Sequence, residues 1–249
     1  MGRLTEGIKH LLIINVLFFL ATLLYGDQMY QWFSLYFPEN PNFRFWQPLT
    51  HMFMHGGTSH ILFNMFALYM FGSHIENALG KQRFLFLYFS AGFGAALLQV
   101  LFHYYEFLPT FNLYLEKGLV KTETAVFIND LINGNIDALK DVPVENSRDM
   151  VSAFFSQMVG ASGAVFGILV AFAVLYPNLP LYMFFIPVPI KAKYLIGAYF
   201  LFDVYAAITG HNIIGPANTA NWAHIGGAIV GFIIIWYWKK NSFNDKRWY

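Results

Sequence analysis

The sequence predicts an all-α polytopic membrane protein, a single domain over residues 1–249 built as a bundle of six transmembrane helices. Of the 249 residues, 57% are hydrophobic and only 12% are charged, which is far more apolar than a soluble domain of this length. Hydropathy separates six apolar segments, each close to the roughly 20 residues that cross a bilayer core. No segment alternates strictly between apolar and polar residues, so we expect helices and not the strands of a barrel.

Charge and cysteine content exclude several kinds of partner. The net charge of +1 argues against a nucleic-acid partner, because binding a phosphate backbone needs a clustered basic face. The absence of cysteine excludes disulfides and thiolate metal sites. We therefore expect no nucleic acid, no metal and no cofactor.

The predicted spans also set the orientation of the chain. They are 10–26, 59–75, 83–105, 161–177, 192–210 and 221–238. No small-residue cleavage site clearly follows the first, so we interpret it as a retained span and not a signal peptide. Ten of the 15 basic residues fall on one side: Arg3, Lys9, Lys81, Arg83, Lys191, Lys193, Lys239, Lys240, Lys246 and Arg247. The positive-inside rule then places both termini in the cytoplasm.

Two outer loops are long. Residues 27–58, between the first two spans, are rich in aromatics and prolines, which favours a segment lying in the headgroup layer. Residues 106–158, between the third and fourth spans, form an acidic insert on the outer side. Within the insert, 122–133 and 144–157 have the periodicity of short amphipathic helices, with a turn at 133–135.

Polar residues inside predicted spans are costly in lipid, and each is a functional hypothesis. They are His60, Asn64, Ser162, Asp203 and His224. Spans 2, 4 and 6 all begin on the outer side, so their early residues share a depth. If the fourth span ends near 176–177, a helix rise of about 1.5 Å per residue places Ser162 roughly 8 Å below the outer boundary of a core about 30 Å thick. The same arithmetic places His224 level with Ser162.

Paired glycines argue that the fourth and sixth spans also lie side by side. Gly163 and Gly167 form one GxxxG pair, and Gly227 and Gly231 form another, a spacing that lets helix backbones approach closely in lipid. Ser162 and His224 lie beside these pairs. A direct hydrogen bond between their side chains would be the minimum arrangement for an activated serine nucleophile.

Three other polar residues receive weaker interpretations. Asp203 could orient His224 as a triad acid, but it lies near the middle of the fifth span, so we favour a structural, hydrogen-bonded or neutral carboxyl. His51 and His55 have i,i+4 spacing that could bind zinc. They lack the glutamate of an HExxH pattern and a clear third ligand, so we favour hydrogen bonds that stabilise the loop.

Ser162 does not match the soluble G-x-S-x-G elbow, since residue 164 is alanine.

These residues resemble the rhomboid intramembrane serine proteases. The motifs that carry the resemblance are Gly160-Ala161-Ser162-Gly163, His224-Ile225-Gly226-Gly227 and His60-Ile61-Leu62-Phe63-Asn64. It extends to Trp46, His51, His55, Gly72-Ser73-His74-Ile75-Glu76 and Leu79-Gly80. The pattern departs from the family at Trp46-Gln47, where arginine often follows the tryptophan, at Asn77 and Ala78, and in the length of the 106–158 insert.

The resemblance implies a rhomboid-like six-helix bundle and a role for each matching residue. Ser162 would be the nucleophile and His224 its general base, in a dyad that needs no carboxylate. Asn64, His60 and the backbone N–H of Ser162 would form the oxyanion hole. Phe166 would stack on the catalytic imidazole. The glycines at 160, 163 and 227 would support the site and leave room for a substrate backbone.

The function that follows is cleavage of single-span membrane proteins near the outer face of the membrane. We expect a multi-pass protein of the bacterial cytoplasmic membrane whose partners are transmembrane substrates and the lipid bilayer. A second hypothesis is a non-catalytic scaffold or chaperone that holds client helices, although such relatives generally lack the serine or the histidine. A third, a transporter or proton channel using His60, His224 and Asp203, would need a polar path through both leaflets.

Overall fold

The computed structural model describes residues 4–133, 144–183, 186–213, 215 and 219–241, and these residues are mostly helical. The helices are α1 Glu6–Tyr25, α2 Asp27–Phe33, α3 Gln47–Thr50, α4 Thr58–Ala67, α5 Ser73–Leu79, α6 Lys81–Glu116, α7 Thr124–Ile132, α8 Val144–Phe155, α9 Ser162–Leu175, α10 Ala192–Thr209 and α11 Asn221–Asn241. A 3-10 turn covers His51–Phe53, and a π-helical turn covers Leu68–Gly72. Two antiparallel two-stranded sheets pair β1 Leu35–Tyr36 with β2 Gln157–Met158, and β3 Pro180–Met183 with β4 Ile186–Lys191.

The observed helices agree with most of the predicted bounds and correct two of them. Helix α6 does not end at 105 but continues to Glu116, so it includes the first 11 residues of the predicted insert. The second span is not one regular helix. Its π-helical turn separates α4 from α5 and extends the helical stretch to Leu79. The amphipathic helices of the insert are present as α7 and α8, while most of the turn predicted at 133–135 falls outside the described residues.

By length and hydropathy, fewer of the observed helices qualify as membrane spans than the six that the sequence predicts. Within the described residues, α1 and α6 are long and apolar enough to cross a membrane, and α9 is apolar but shorter. Helices α10 and α11 have the length but carry polar residues, among them Asp203 and His224. The two long apolar helices agree with part of the predicted topology.

Helices α6, α9 and α11 pack together at the centre of the bundle. The glycine pairs make this possible, because a Cβ on Gly227 would overlap the backbone of Gly163. A Cβ on Gly167 would lie 2.9 Å from the carbonyl oxygen of Gly227. The predicted contact between the two GxxxG faces is therefore present, and it brings the first turns of α9 and α11 together.

A second apolar cluster holds the insert against the C-terminal half of α6. It comprises Phe37, Phe107, Tyr114, Phe127, Ile128, Leu131, Met150, Ala153 and Phe154. Asn40 adds a hydrogen bond from Nδ2 to the carbonyl oxygen of Phe154, 2.8 Å long. Because β2 follows directly and precedes Ser162 by only a few residues, this cluster fixes the chain that enters α9.

Candidate active site

The structure places Ser162 and His224 in direct contact. Ser162 is the first residue of α9, and His224 lies in the first turn of α11. Their Oγ and Nε2 atoms are 2.9 Å apart. The depth and glycine arguments from the sequence both anticipate this pair.

The imidazole of His224 is also held on its face and at its other nitrogen. Phe166, one helical turn after Ser162, stacks on the ring with centroids 4.2 Å apart and planes inclined by 12°. Asp203 in α10 lies with Oδ1 3.1 Å from Nδ1 of His224. From the sequence, this contact is named as an alternative, but a structural carboxyl is favoured for Asp203. Depth along a single span cannot reveal it, because it depends on how α10 packs against α11.

His60 and Asn64 border the same site from α4. Gly160 has a backbone φ of +118°, which favours glycine, and a Cβ there would lie 2.8 Å from Nε2 of His60 and 3.8 Å from Nδ2 of Asn64. Both side chains therefore approach the chain two residues before Ser162. The Asn64 amide also donates to the carbonyl oxygen of His60 at 3.1 Å.

The hydrogen bonds around His60 identify its donor nitrogen. The backbone N–H of Gly56 donates to Nδ1 at 3.3 Å, so Nδ1 is an acceptor and the ring proton belongs on Nε2. Nε2 is the atom that faces Gly160. An N–H donor from α4 is thus directed to the entrance of α9, where the first backbone N–H groups of the helix have no intrahelical acceptor.

The two loop histidines are buried beside this site. His51 Nδ1 lies 3.0 Å from the carbonyl oxygen of Gln47, and the backbone of His51 accepts from Gly160 N–H at 2.9 Å. Neither ring nitrogen of His55 has a partner among the described residues. Burial lowers the pKa of His51 to about 4 and the pKa of His55 to about 3. The predicted loop-stabilising hydrogen bond is present at the ring of His51 and absent, within the described residues, at the ring of His55.

Gln47 is a structural residue that the sequence interpretation left without a role. It is fully buried, and Nε2 donates to the carbonyl oxygen of Asn42 at 2.9 Å. Oε1 accepts from the backbone N–H of Tyr36 at 3.3 Å. The neutral amide therefore joins separate parts of the aromatic loop 27–58 at the place where rhomboids often carry arginine.

Comparisons with known proteins identify the family of this chain. The Rhomboid domain family matches residues 42–241. The chain is 30% identical over 198 residues to Rhomboid protease AarA of Providencia stuartii, covering 76% of this chain and 54% of that protein. It is 30% identical over 186 residues to the mitochondrial RHOMBOID-like protein 12 of Arabidopsis thaliana, covering 74% of this chain and 44% of that protein.

The chain spans about half the length of these curated relatives. The family match, in contrast, covers most of the chain and contains α4, α9 and α11, the three helices that bring the polar residues together. The chain is a helical membrane protein that belongs to the rhomboid family.

Proposed function

We propose that this protein is an intramembrane serine endopeptidase that hydrolyses single-span membrane proteins near the outer face of the membrane. The observation that carries the proposal is the 2.9 Å contact between Ser162 Oγ and His224 Nε2 at the start of two glycine-packed helices. A serine beside an imidazole nitrogen is the minimum unit of nucleophilic catalysis. The alternative of a scaffold or chaperone finds no supporting contact among the described residues.

In the proposed reaction, Ser162 Oγ attacks the scissile carbonyl carbon and its proton passes to Nε2 of His224. The tetrahedral oxyanion accepts hydrogen bonds from His60 Nε2–H, Asn64 Nδ2–H and the backbone N–H of Ser162, helped by the positive end of the α9 dipole. His224 then gives its proton to the leaving amine. Water attacks the acyl carbon and loses a proton to His224. The C–O bond to Ser162 then breaks, His224 returns that proton to Ser162 Oγ, and the second product leaves with a new carboxyl group.

The proposed substrate follows from the depth of the site. Helix α9 has 14 residues and is about 21 Å long, shorter than the bilayer core of about 30 Å, so its outer end lies below the surface and can meet water. A helical peptide bond is already hydrogen-bonded and must unwind before it is cut. Transmembrane segments with small or helix-breaking residues near their outer end are the expected substrates. The proposed location is a bacterial cytoplasmic membrane, with six spans and cytoplasmic termini.

Cleavage of a single-span reporter in proteoliposomes tests this function. Ser162→Ala and His224→Ala should each abolish cleavage while the protein still folds, and a fluorophosphonate probe should label the wild type but neither variant. Cleavage that survives both changes would refute the proposal. A wild type that folds but takes no probe and cuts no reporter would favour the scaffold.

The chain offers a matched control for the serine assignment. Ser156 also bonds to a histidine, with Oγ 2.8 Å from Nε2 of His103, but it lies at the end of α8 in the insert. Ser156→Ala should leave both labelling and cleavage intact. If labelling disappears in Ser156→Ala and persists in Ser162→Ala, the nucleophile has been misassigned.

A further inference from the structure

We propose that Asp203 is a positioning residue for His224, so that the site works through two consecutive hydrogen bonds and not through a dyad alone. This inference rests on the proposed function. Asp203 Oδ1 lies 3.1 Å from His224 Nδ1, on the opposite side of the ring from Ser162. Asp203 is 5% exposed and His224 6% exposed, so water competes little for this contact.

A comparison with Glu76 distinguishes a positioning carboxyl from a structural one. Glu76 is buried too, but its oxygens accept the backbone N–H groups of Gly7 and Ile8 at 2.7 and 2.9 Å. It thereby anchors the start of α1 to α5. In the described part of the chain, the Asp203 side chain bonds only to His224, and its Oδ2 atom has no partner. The fold gains little from Asp203 except the orientation of one imidazole.

The chemistry of that contact selects a tautomer. An ionised Asp203 can only accept, so the ring proton must lie on Nδ1, and the lone pair of Nε2 faces the hydroxyl of Ser162. When His224 takes the serine proton, the carboxylate stabilises the imidazolium without itself being protonated. Without Asp203, no other side chain in the described ranges is recorded at Nδ1 to select the reactive tautomer.

The other described neighbours of His224 cannot select its tautomer in place of Asp203. Phe166 fixes the plane of the imidazole but contacts only its face. Tyr199 of α10 lies against Phe166, with ring centroids 5.0 Å apart, and His60 approaches from α4. Because stacking still holds the plane, removing the carboxylate should slow the reaction without abolishing it.

Asp203→Asn and Asp203→Glu in the purified full chain, assayed with a transmembrane reporter, test the proposal. An amide at position 203 can donate to Nδ1 and so favour the wrong tautomer; the same change in a soluble triad costs about 10⁴-fold in kcat. Here we expect Asp203→Asn to lower kcat by at least about tenfold with KM unchanged, since stacking remains. Asp203→Glu should restore part of the rate.

Phe202→Leu, a change of the adjacent residue in α10, is the control and should leave kcat and KM unchanged. A wild-type kcat in Asp203→Asn would overturn the proposal. So would a lower melting temperature with unchanged kcat per folded molecule, since that indicates a purely structural carboxyl. Ser162→Ala, assayed in parallel, separates the two ideas. If it still cleaves, the proposed function fails; if it is inactive while Asp203→Asn is fully active, only the positioning role fails.

Discussion

At the scale of single residues, the four histidines at or beside the site divide into two groups. His60 and His224 have ring nitrogens directed at Gly160 and Ser162. His51 and His55 instead lie inside the loop that supports them, where burial lowers the pKa of each imidazole. This second pair carries no proposed chemical step, but it makes the stability of the loop depend on pH.

Folding stability should therefore fall when the pH drops below about 6.5. A free histidine protonates near pH 6.5, whereas His51 and His55 stay neutral in the folded protein down to about pH 4 and about pH 3. The stability contributed by neutral burial is complete above the unfolded pKa. It is lost between that value and the folded one, at about 1.4 kcal/mol per pH unit for each group. Melting temperatures in detergent at pH 7.5, 6 and 5 measure the slope.

His51→Gln should make this slope shallower, because it removes one of the two neutral groups and keeps a hydrogen-bonding side chain. His10, exposed on α1, supplies the control, and His10→Gln should leave the slope as it is. A melting temperature that stays constant from pH 7.5 to 5 would contradict the prediction.

At the scale of helices, the site depends on the distance between α9 and α11. Ser162 and His224 are each fixed to their own helix, so a displacement of one helix lengthens the hydrogen bond between them. The two backbones touch at Gly163 and Gly227, where the neighbouring group is main chain and cannot rotate away. The spacing of these helices is thus part of the site.

Gly227→Ala should consequently abolish most of the activity as well as destabilise the fold. The added methyl overlaps the backbone of Gly163 and must push the helices apart, and an overpacked core typically loses about 1–3 kcal/mol. A displacement of about 1 Å at a reacting pair can cost roughly 10²-fold in rate. Reporter cleavage and the melting temperature, measured on the same preparation, check both effects.

Gly197→Ala is the matched control, since a Cβ on Gly197 of α10 has no heavy atom within 4 Å. It should keep wild-type activity and gain slightly in helix stability. Equal activities for the two alanine variants would show that helix spacing at Gly227 does not control the site.

The helices also show which features local sequence reveals. The spacing of Gly163, Gly167, Gly227 and Gly231 is readable because a helix turns regularly, so the face that each pair forms follows from counting. The extension of α6 beyond residue 105 cannot be read from the sequence in this way, because packing against the insert holds its last turns and hydropathy does not. The π-helical turn 68–72 likewise has no signature in the residue pattern. The Asp203 contact depends on the packing of two helices that 11 residues of the sequence separate.

At the scale of the whole molecule, the polar residues of the proposed site make the helices that carry them less apolar. Helices α10 and α11 hold Asp203 and His224, and these polar groups lower their hydropathy below that of α1 and α6. Helix α4 is short because the π-helical turn follows it. The segments that build the site are therefore the ones least evident as membrane spans, and the topology needs a direct test.

The long helix α6 can cross the membrane and extend beyond it, so it relates the other segments to one side of the membrane. Its 36 residues extend about 54 Å, so a bilayer core of about 30 Å leaves more than 20 Å to protrude. The protruding end carries the apolar cluster of the insert, while its first residue, Lys81, forms an ion pair with Glu6 at 3.1 Å. The opening of the site, the insert and loop 27–58 should all lie on the outer side.

The absence of cysteine allows this orientation to be tested at single positions. Lys121 precedes α7 in the insert and Lys240 lies near the end of α11, and both are exposed. In intact bacterial cells a membrane-impermeant maleimide should label Lys121→Cys at once and Lys240→Cys only after lysis. The reasoning is that an odd number of crossings must separate the two positions if six spans place both termini in the cytoplasm. Prior labelling with a permeant maleimide shows that each thiol is reactive, and reporter cleavage shows that each variant is folded. Labelling of both cysteines in intact cells would place the two positions on one side and refute the six-span topology.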